Sequence, residues 1–254
     1  MSQSDINAQQ EPYMPIDIPL LIGTAGWSLP REHWPAFAAE GTHLQRYASR
    51  LAVVEVNSSF YRPHRPATYA KWAGSVPDGF RFSVKVPKQI THERRLVDCG
   101  EALERFLHEC SHLGEALGCL LLQLPPSLAF DATTAGAFIE TLRTLYSGPL
   151  AIEPRHRSWV DAEALLVQAA ISRVAADPAP FPEASEPGGW PGFRYYRLHG
   201  SPRIYHSAYG EDWLDALADR ITAQANGATC WCVFDNTASG AATANALSLR
   251  RRFR

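Results

Sequence analysis

The chain has 254 residues, a formal net charge of −2, 46% hydrophobic residues and 20% charged ones. That balance fits a globular protein with a sizeable core and gives no overall pull toward nucleic acid or acidic membranes. Its five cysteines (Cys99, Cys110, Cys119, Cys230 and Cys232) are odd in number and include no C-x-x-C pair, which argues against a zinc cluster or disulfide framework and for reduced, buried thiols.

The chain opens with MSQSDINAQQEPYMPIDIP, which has no basic start, apolar run or small-residue cleavage site. Residues 1–19 therefore read as a disordered tail and not as a signal peptide. No apolar run approaches membrane-span length, so the cytoplasm is the expected compartment and no membrane partner is expected. Strand-like segments follow at 20–27, 53–60, 81–87, 119–125, 150–156, 172–178, 193–200 and 230–236. Helical patterns lie between most of them: GTHLQRYASRL, PATYAKWAGSV, GEALERFLHECSHLGEAL, TTAGAFIETLRTL, WVDAEALLVQAA, DWLDALADRITAQA and ASGAATANALSLRRRF. This alternation predicts parallel βα units, and eight of them predict one α/β domain, a TIM-type (β/α)8 barrel over 20–254. An open doubly wound sheet is the runner-up, without a G-x-G-x-x-G after the first strand to support it. DPAPFPEASEPGGWPG, 177–192, is too rich in Pro and Gly for a regular helix, so a loop is expected in place of the sixth helix.

GFRFSVKVP, 79–87, indicates which face points inward. Phe80, Phe82, Val84 and Val86 alternate with Arg81, Ser83 and Lys85. A barrel packs its apolar outer face on helices, so the polar set points into the lumen. The same logic sends Glu55 and Asn57, Glu153 and Arg155, and Arg197 and His199 inward, with Gln123, Asp177 and Asp235 at equivalent strand ends. Glu55, Glu153, Asp177 and Asp235 would then face Arg81, Lys85, Arg155 and Arg197. So many buried ions are tolerable only as a hydrogen-bonded network. A purely structural ion-pair lattice is the plain alternative, but clustering at the strand C-termini favours a ligand site.

Several segments resemble one family. IGTAGW, VEVNSSFY, FSVKVP followed by ITH, LLLQLPPS, EPRHRSW, YRLHG and FDN with the G, A and NA that follow it are similar to motifs of the YecE-like proteins, known as domain of unknown function 72. The resemblance runs from about Leu21 to the C-terminus. It implies a TIM-type barrel and supplies no activity. Two departures stand out: Pro154, where the family usually has an aromatic, and Asp235, where it often has Asn.

The candidate catalytic residues are Glu55, Lys85, Glu153, Arg155 and His199. Paired carboxylates suit acid–base work, and Glu55 and Glu153 should face each other across the barrel. Lys85 and Arg155 nearby would keep them ionised, leaving His199 as the proton shuttle. In a second reading Lys85, Arg155 and Arg197 hold an anionic group. Trp27, Asn57, Tyr61, His92, Gln123, His156, Trp159, Asp177, Arg197, Asp235 and Asn236 are the candidate substrate contacts, the aromatics by stacking on a sugar or base. No cofactor is expected. A mononuclear metal at His199 or His156 with Glu153, Asp177 and Asp235 stays open, and a multinuclear one is disfavoured. The expected function is an enzyme acting on a small polar anionic substrate, a phosphate ester or phosphosugar, by hydrolase or lyase/isomerase chemistry. The alternative is a non-catalytic module for single-stranded nucleic acid or a small ligand, with salt-sensitive affinity if the ligand is nucleic acid. Glu153→Gln and Lys85→Met are expected to leave the fold intact while abolishing ligand-induced stabilisation.

Overall fold

The computed structural model describes residues 19–224 and 227–253. Apart from residue 19, the expected N-terminal tail lies outside the described residues.

The strands are β1 Leu20–Ala25, β2 Val53–Val56, β3 Arg81–Lys85, β4 Leu117–Gln123, β5 Leu150–Glu153, β6 Ile171–Arg173, β7 Ala175–Asp177, β8 Gly188–Gly189, β9 Phe193–Leu198 and β10 Thr229–Phe234. They form one 10-stranded sheet in the order β7-β9-β10-β1-β2-β3-β4-β5-β6-β8. All pairs are parallel except β6 with β8. Between and after them lie α1 His43–Ala48, α2 Ser58–Tyr61, α3 Pro66–Ala73, α4 Gly100–Cys110, α5 Ala132–Leu145, α6 Glu163–Gln168, α7 Glu211–Ala223 and α8 Ala241–Arg251. Local chemistry fixes several starts. Thr42 and Gln45 form a capping box on α1, and Asp131 caps α5 through the Thr134 amide, each satisfying amides that helix geometry leaves unpaired.

Only Val174 separates β6 from β7, and the two pair with different neighbours. β6 continues from β5, whereas β7 pairs with β9. One extended segment thus touches both flanks, and the sheet curls into a nearly closed, barrel-like, single-domain α/β fold. After β7 the chain is not a featureless loop. Pro182–Ser185 makes a 3-10 turn, and Gly188–Gly189 pairs antiparallel with β6.

The strands are shorter than the sequence pattern suggests, because alternation runs on into the following turns. Ser58, Ser59 and Phe60 belong to α2, and α4 ends at Cys110, followed by a 3-10 segment with Gly114 at φ 54°. A π-helical turn, Gln89–Glu93, follows β3. The inside–outside assignment holds. Phe80, Phe82, Val84 and Val86 join the core between sheet and helices, as do Cys230 and Cys232. A second cluster, including Val53, Cys119, Leu121, Ala151, Val174, Phe193, Tyr195, Trp231 and Val233, fills the interior toward the strand N-termini. All five cysteines are buried and unbridged. No helix among the described residues is long and apolar enough to cross a membrane.

Gly23 pairs with Val53, and a Cβ there would collide with the Val53 carbonyl oxygen and crowd the Tyr47 hydroxyl. Tyr47 donates to that carbonyl and accepts from the Thr24 amide. Gly23→Ala should therefore cost ~3 kcal/mol, as overpacking at a site that cannot relax does. A urea melt with an unshifted midpoint would contradict this.

Candidate functional site

Above the apolar cluster, toward the strand C-termini, the interior becomes ionic. Glu55, Ser83, Lys85, Gln123, Glu153 and Arg197 lie in the strands, with His199 and Asp235 just beyond. All are buried. Arg155, two residues past Glu153, is half-buried.

Arg197 is the hub. Its Nε donates to Glu55 Oε2 at 3.0 Å and its Nη2 to Glu55 Oε1 at 2.7 Å. Nη2 also lies 2.8 Å from Asp235 Oδ2, and Nη1 donates to Glu153 Oε2 at 3.0 Å. Glu153 Oε2 accepts a second bond from Gln123 Nε2 at 3.1 Å, and Oε1 accepts one from Arg155 Nη2 at 2.8 Å. His199 is clamped, with Nε2 3.0 Å from Glu153 Oε1 and Nδ1 3.0 Å from Asp235 Oδ2. Tyr195 donates to Glu55 Oε2 at 2.9 Å and stands 3.0 Å from Ser83 Oγ. Burial alone would raise the Glu153 and Asp235 carboxyls. The Arg197 guanidinium, with His199, outweighs it and holds both below the usual carboxylate range, Glu153 far below. The carboxylates in turn hold Arg197 charged against its own burial.

Lys85 stands apart. It is 7% exposed, with Nζ 4.2 Å from the Phe60 ring centroid. No hydrogen bond or ion pair joins Nζ to any of the described residues, since the nearby carboxylates are engaged by other donors. Burial and then Arg197 lower its pKa to about 8, against the pull of Glu55, Glu153 and Asp235. His92, on the π-helical turn, packs edge-on against the same Phe60 ring at 4.9 Å, with Nδ1 2.8 Å from Thr91 Oγ1. Burial, then Lys85 and Arg155, lower its pKa. Three buried polar atoms at this end, Asn57 Oδ1, Arg155 Nε and Asn236 Oδ1, have no partner among the described residues. Such orphans are uncommon and call for an explanation.

Most of the expected set is thus brought together: Glu55, Lys85, Gln123, Glu153, Arg155, Arg197, His199 and Asp235, with Asn57 and His92 above them. Tyr61 follows Phe60, 72% exposed, and Trp27 packs on Trp72. Other expectations need correcting. Arg197 has its donors engaged by carboxylates, so it organises the site and is not open to bind an anion. Glu55 and Glu153 are not an empty facing pair, because that guanidinium lies between them. Trp159 is 1% exposed and donates from Nε1 to the Leu128 carbonyl, because a 3-10 turn, Arg157–Ala162, swings it into the outer core. His156 caps that turn through the Ser158 amide. Asp177 accepts from the Tyr209 hydroxyl at 2.8 Å, and Asn236 ties its loop to Ser207 and Asn245. Arg81, four residues before Lys85, sits at the far end of β3 with Nη1 on the Phe80 carbonyl. Tyr195 was missed, although the alternation through Phe193, Tyr195 and Arg197 marks it as inward. Tyr205, whose ring edge meets His199 at 5.8 Å, carries no sequence signal.

Glu153, Asp235 and His199 face one another or Arg197 and Arg155, and no group of three or more His, Cys, Asp or Glu among the described residues is arranged to hold a metal ion. A cavity of about 820 Å³ between α5 and α6 lies away from this site. Its one guanidinium, Arg143, donates to the carbonyls of Tyr146, Gly148, Ala169 and Ala170 and has little left to offer a ligand.

Residues 21–254 match the family model described as "Protein of unknown function DUF72". The chain belongs to the DUF72 family. It is similar to UPF0759 protein YecE of Escherichia coli K12, 33% identical over 106 residues, which cover 42% of this chain and 38% of that protein. It is also similar to UPF0759 protein YunF of Bacillus subtilis 168, 28% identical over 147 residues, 55% of this chain and 52% of that one. The chain thus spans about half or less of the length of these relatives. Its fold is like that of the DUF72 protein of Enterococcus faecalis V583, with a TM-score of 0.77 at 22% identity, over 92% of this chain and 95% of that one. The DUF72 protein of Thermotoga maritima MSB8 gives 0.73 at 25% identity, over 91% and 98%. In this DUF72 chain Asp235, the departure noted in the sequence, supplies the third carboxylate on Arg197. Pro154 is buried between Glu153 and Arg155.

Proposed function

We propose that this DUF72 protein is a (β/α)8-barrel enzyme that acts on a small polar anionic substrate, such as a phosphate ester or phosphosugar, at the C-terminal mouth of its strands. The barrel reading counts β6 and β7 as one split strand and leaves out the short antiparallel β8, giving eight parallel strands. The observation that carries the functional reading is the unpaired Lys85 ammonium. Glu55, Glu153 and Asp235 accept from protein donors, whereas Lys85 Nζ and Arg155 Nε have no acceptor among the described residues. A site whose carboxylates are engaged and whose cations keep unused donors favours an anion. Asn57 Oδ1 would accept from a substrate hydroxyl. His92 stands at hand for proton transfer, while Arg197, Glu55, Glu153, Asp235 and His199 hold the frame.

A thermal-shift comparison of the parent with Lys85→Met, using inorganic phosphate, glycerol 3-phosphate and glucose 6-phosphate, tests this. At ~100 times Kd a ligand adds ~2.7 kcal/mol, which raises Tm by several degrees. The parent should respond to at least one phosphate and Lys85→Met to none. Equal responses would remove Lys85 from the site. A single-stranded oligonucleotide in the same panel tests the binding-module alternative, whose signature is a steep loss with salt.

A further inference from the structure

The geometry points to Lys85 as a carbonyl-reactive amine that forms an imine with a small aldehyde or ketone carrying an anionic group, such as a 2-oxo acid or a phosphorylated sugar in its open form. This deepens the anionic-substrate reading and rests on it.

Three observations converge. First, of the 24 basic residues only Lys71, Lys85 and Lys88 are lysine, and the other 21 are arginine. Lys71 and Lys88 are exposed, and Lys88 pairs with Glu93 at 3.1 Å. The one buried lysine therefore stands in a chain that otherwise meets its need for cations with arginine. Arginine cannot give up its proton in a protein, whereas a buried lysine can. Charge alone does not require lysine here.

Second, the site withholds acceptors from this amine. Three carboxylates share its layer, yet Arg197, Arg155, Gln123, His199 and Tyr195 occupy them, and Nζ is left against the Phe60 ring. Desolvation beside a fixed cation is an established way to make a lysine nucleophilic at neutral pH. With its pKa lowered to about 8, roughly one molecule in ten carries the neutral amine at pH 7, against about one in a few thousand for an ordinary lysine. The groups that set this balance are Arg197 on β9, Glu55 on β2, Glu153 on β5 and Asp235 after β10.

Third, a proton acceptor stands on the same aromatic platform. His92 Nδ1 lies 2.8 Å from Thr91 Oγ1, whose hydroxyl also faces the Pro87 carbonyl at 3.4 Å, and in the tautomer in which Nδ1 donates to Thr91 the lone pair is on Nε2. Nε2 has no partner among the described residues.

The step balances without an outside oxidant or reductant. The Lys85 lone pair forms a C–N bond to the carbonyl carbon while the C=O π pair moves to oxygen. Nitrogen passes one proton to His92 Nε2, which returns it to the alkoxide to give the carbinolamine, and the second N–H proton follows the same route to that oxygen as it leaves as water. The product is a C=N bond plus one water. Arg155 Nε would hold the substrate's anionic group meanwhile.

The test is reductive trapping on the full chain. The protein is incubated with pyruvate or glyceraldehyde 3-phosphate and sodium cyanoborohydride, and the reduced adduct is mapped by mass spectrometry across Lys71, Lys85, Lys88 and the terminal amine. Lys85 should label faster than Lys71 by on the order of tenfold or more, from its larger neutral fraction. His92→Asn should slow labelling of Lys85 alone. Lys85→Arg should lose the dominant adduct while Lys71 and Lys88 label as they do in the parent. If the parent labels Lys85 no faster than Lys71 while phosphate still shifts its Tm, imine formation is overturned and the anion site stands. If the parent shows neither, both readings fall. The comparison of lysines within one folded protein does not depend on any variant folding.

Discussion

Arg197→Met should destabilise the protein more than any other single substitution in the ionic layer. Removing one partner from a buried ion pair costs ~3–5 kcal/mol, because the other charge is left unpaired. Here one guanidinium serves Glu55, Glu153 and Asp235 together. Domain stability is typically ~5–15 kcal/mol in total, so the variant should be largely unfolded or melt at a much lower urea concentration. Its pH dependence should invert as well. In the parent, Glu153 and Asp235 bind protons more weakly folded than unfolded. Their contribution is complete above the ordinary carboxylate range and is lost as pH falls through their folded values. Without Arg197, burial dominates and those carboxyls take up protons more readily when folded, so the variant should gain stability on acidification from pH ~7 toward ~5, where the parent gains none. Urea melts at both pH values would expose the difference. Parallel behaviour of parent and variant would mean that Arg197 does not hold the layer together.

Glu153→Gln should cost about 3 kcal/mol despite its near-identical shape. The carboxylate accepts from Gln123 and Arg197 on one oxygen and from Arg155 on the other, which also faces His199. An amide offers a single acceptor, and its NH2 group would point at donors. Glu153→Gln therefore mixes a stability loss with any loss of binding, and Lys85→Met is the better probe of binding because no hydrogen-bond partner depends on the Lys85 side chain. Arg155→Gln, at a half-buried position, should cost ~1 kcal/mol or less, and the double variant should fall short of the sum, since the two residues share a hydrogen bond. Denaturant midpoints decide this. A Glu153→Gln chain within ~0.5 kcal/mol of the parent would be an ordinary surface-like result and would refute the network.

The fold and much of the site were legible because a strand repeats every two residues. Phe80, Phe82, Val84 and Val86 could face only the helices, so Lys85 had to face inward, and the same reasoning located Glu55, Glu153, Arg197 and His199. Who pairs with whom was not legible. Glu55 and Arg197 meet across 142 positions of chain, and nothing local says that Arg197 takes the carboxylates and leaves Lys85 alone. The aromatics misled for a related reason. Trp159 follows a strand just as Trp27 does, but whether such a ring lines a mouth or enters the outer core depends on the turn beneath it, here a 3-10 turn capped by His156. The π-helical turn that carries His92 and the left-handed backbone of Tyr205, at φ 68°, have no compositional signal at all.

Phe193, Tyr195 and Trp231 close the lower lumen in mutual ring contact. A tube stoppered at its base has one doorway. Whatever reaches Lys85 must then come and go on the side of the strand C-termini, where His92 packs on Phe60 and Tyr205 on His199. Bulk added at that threshold would slow arrival and departure alike, changing residence time more than affinity.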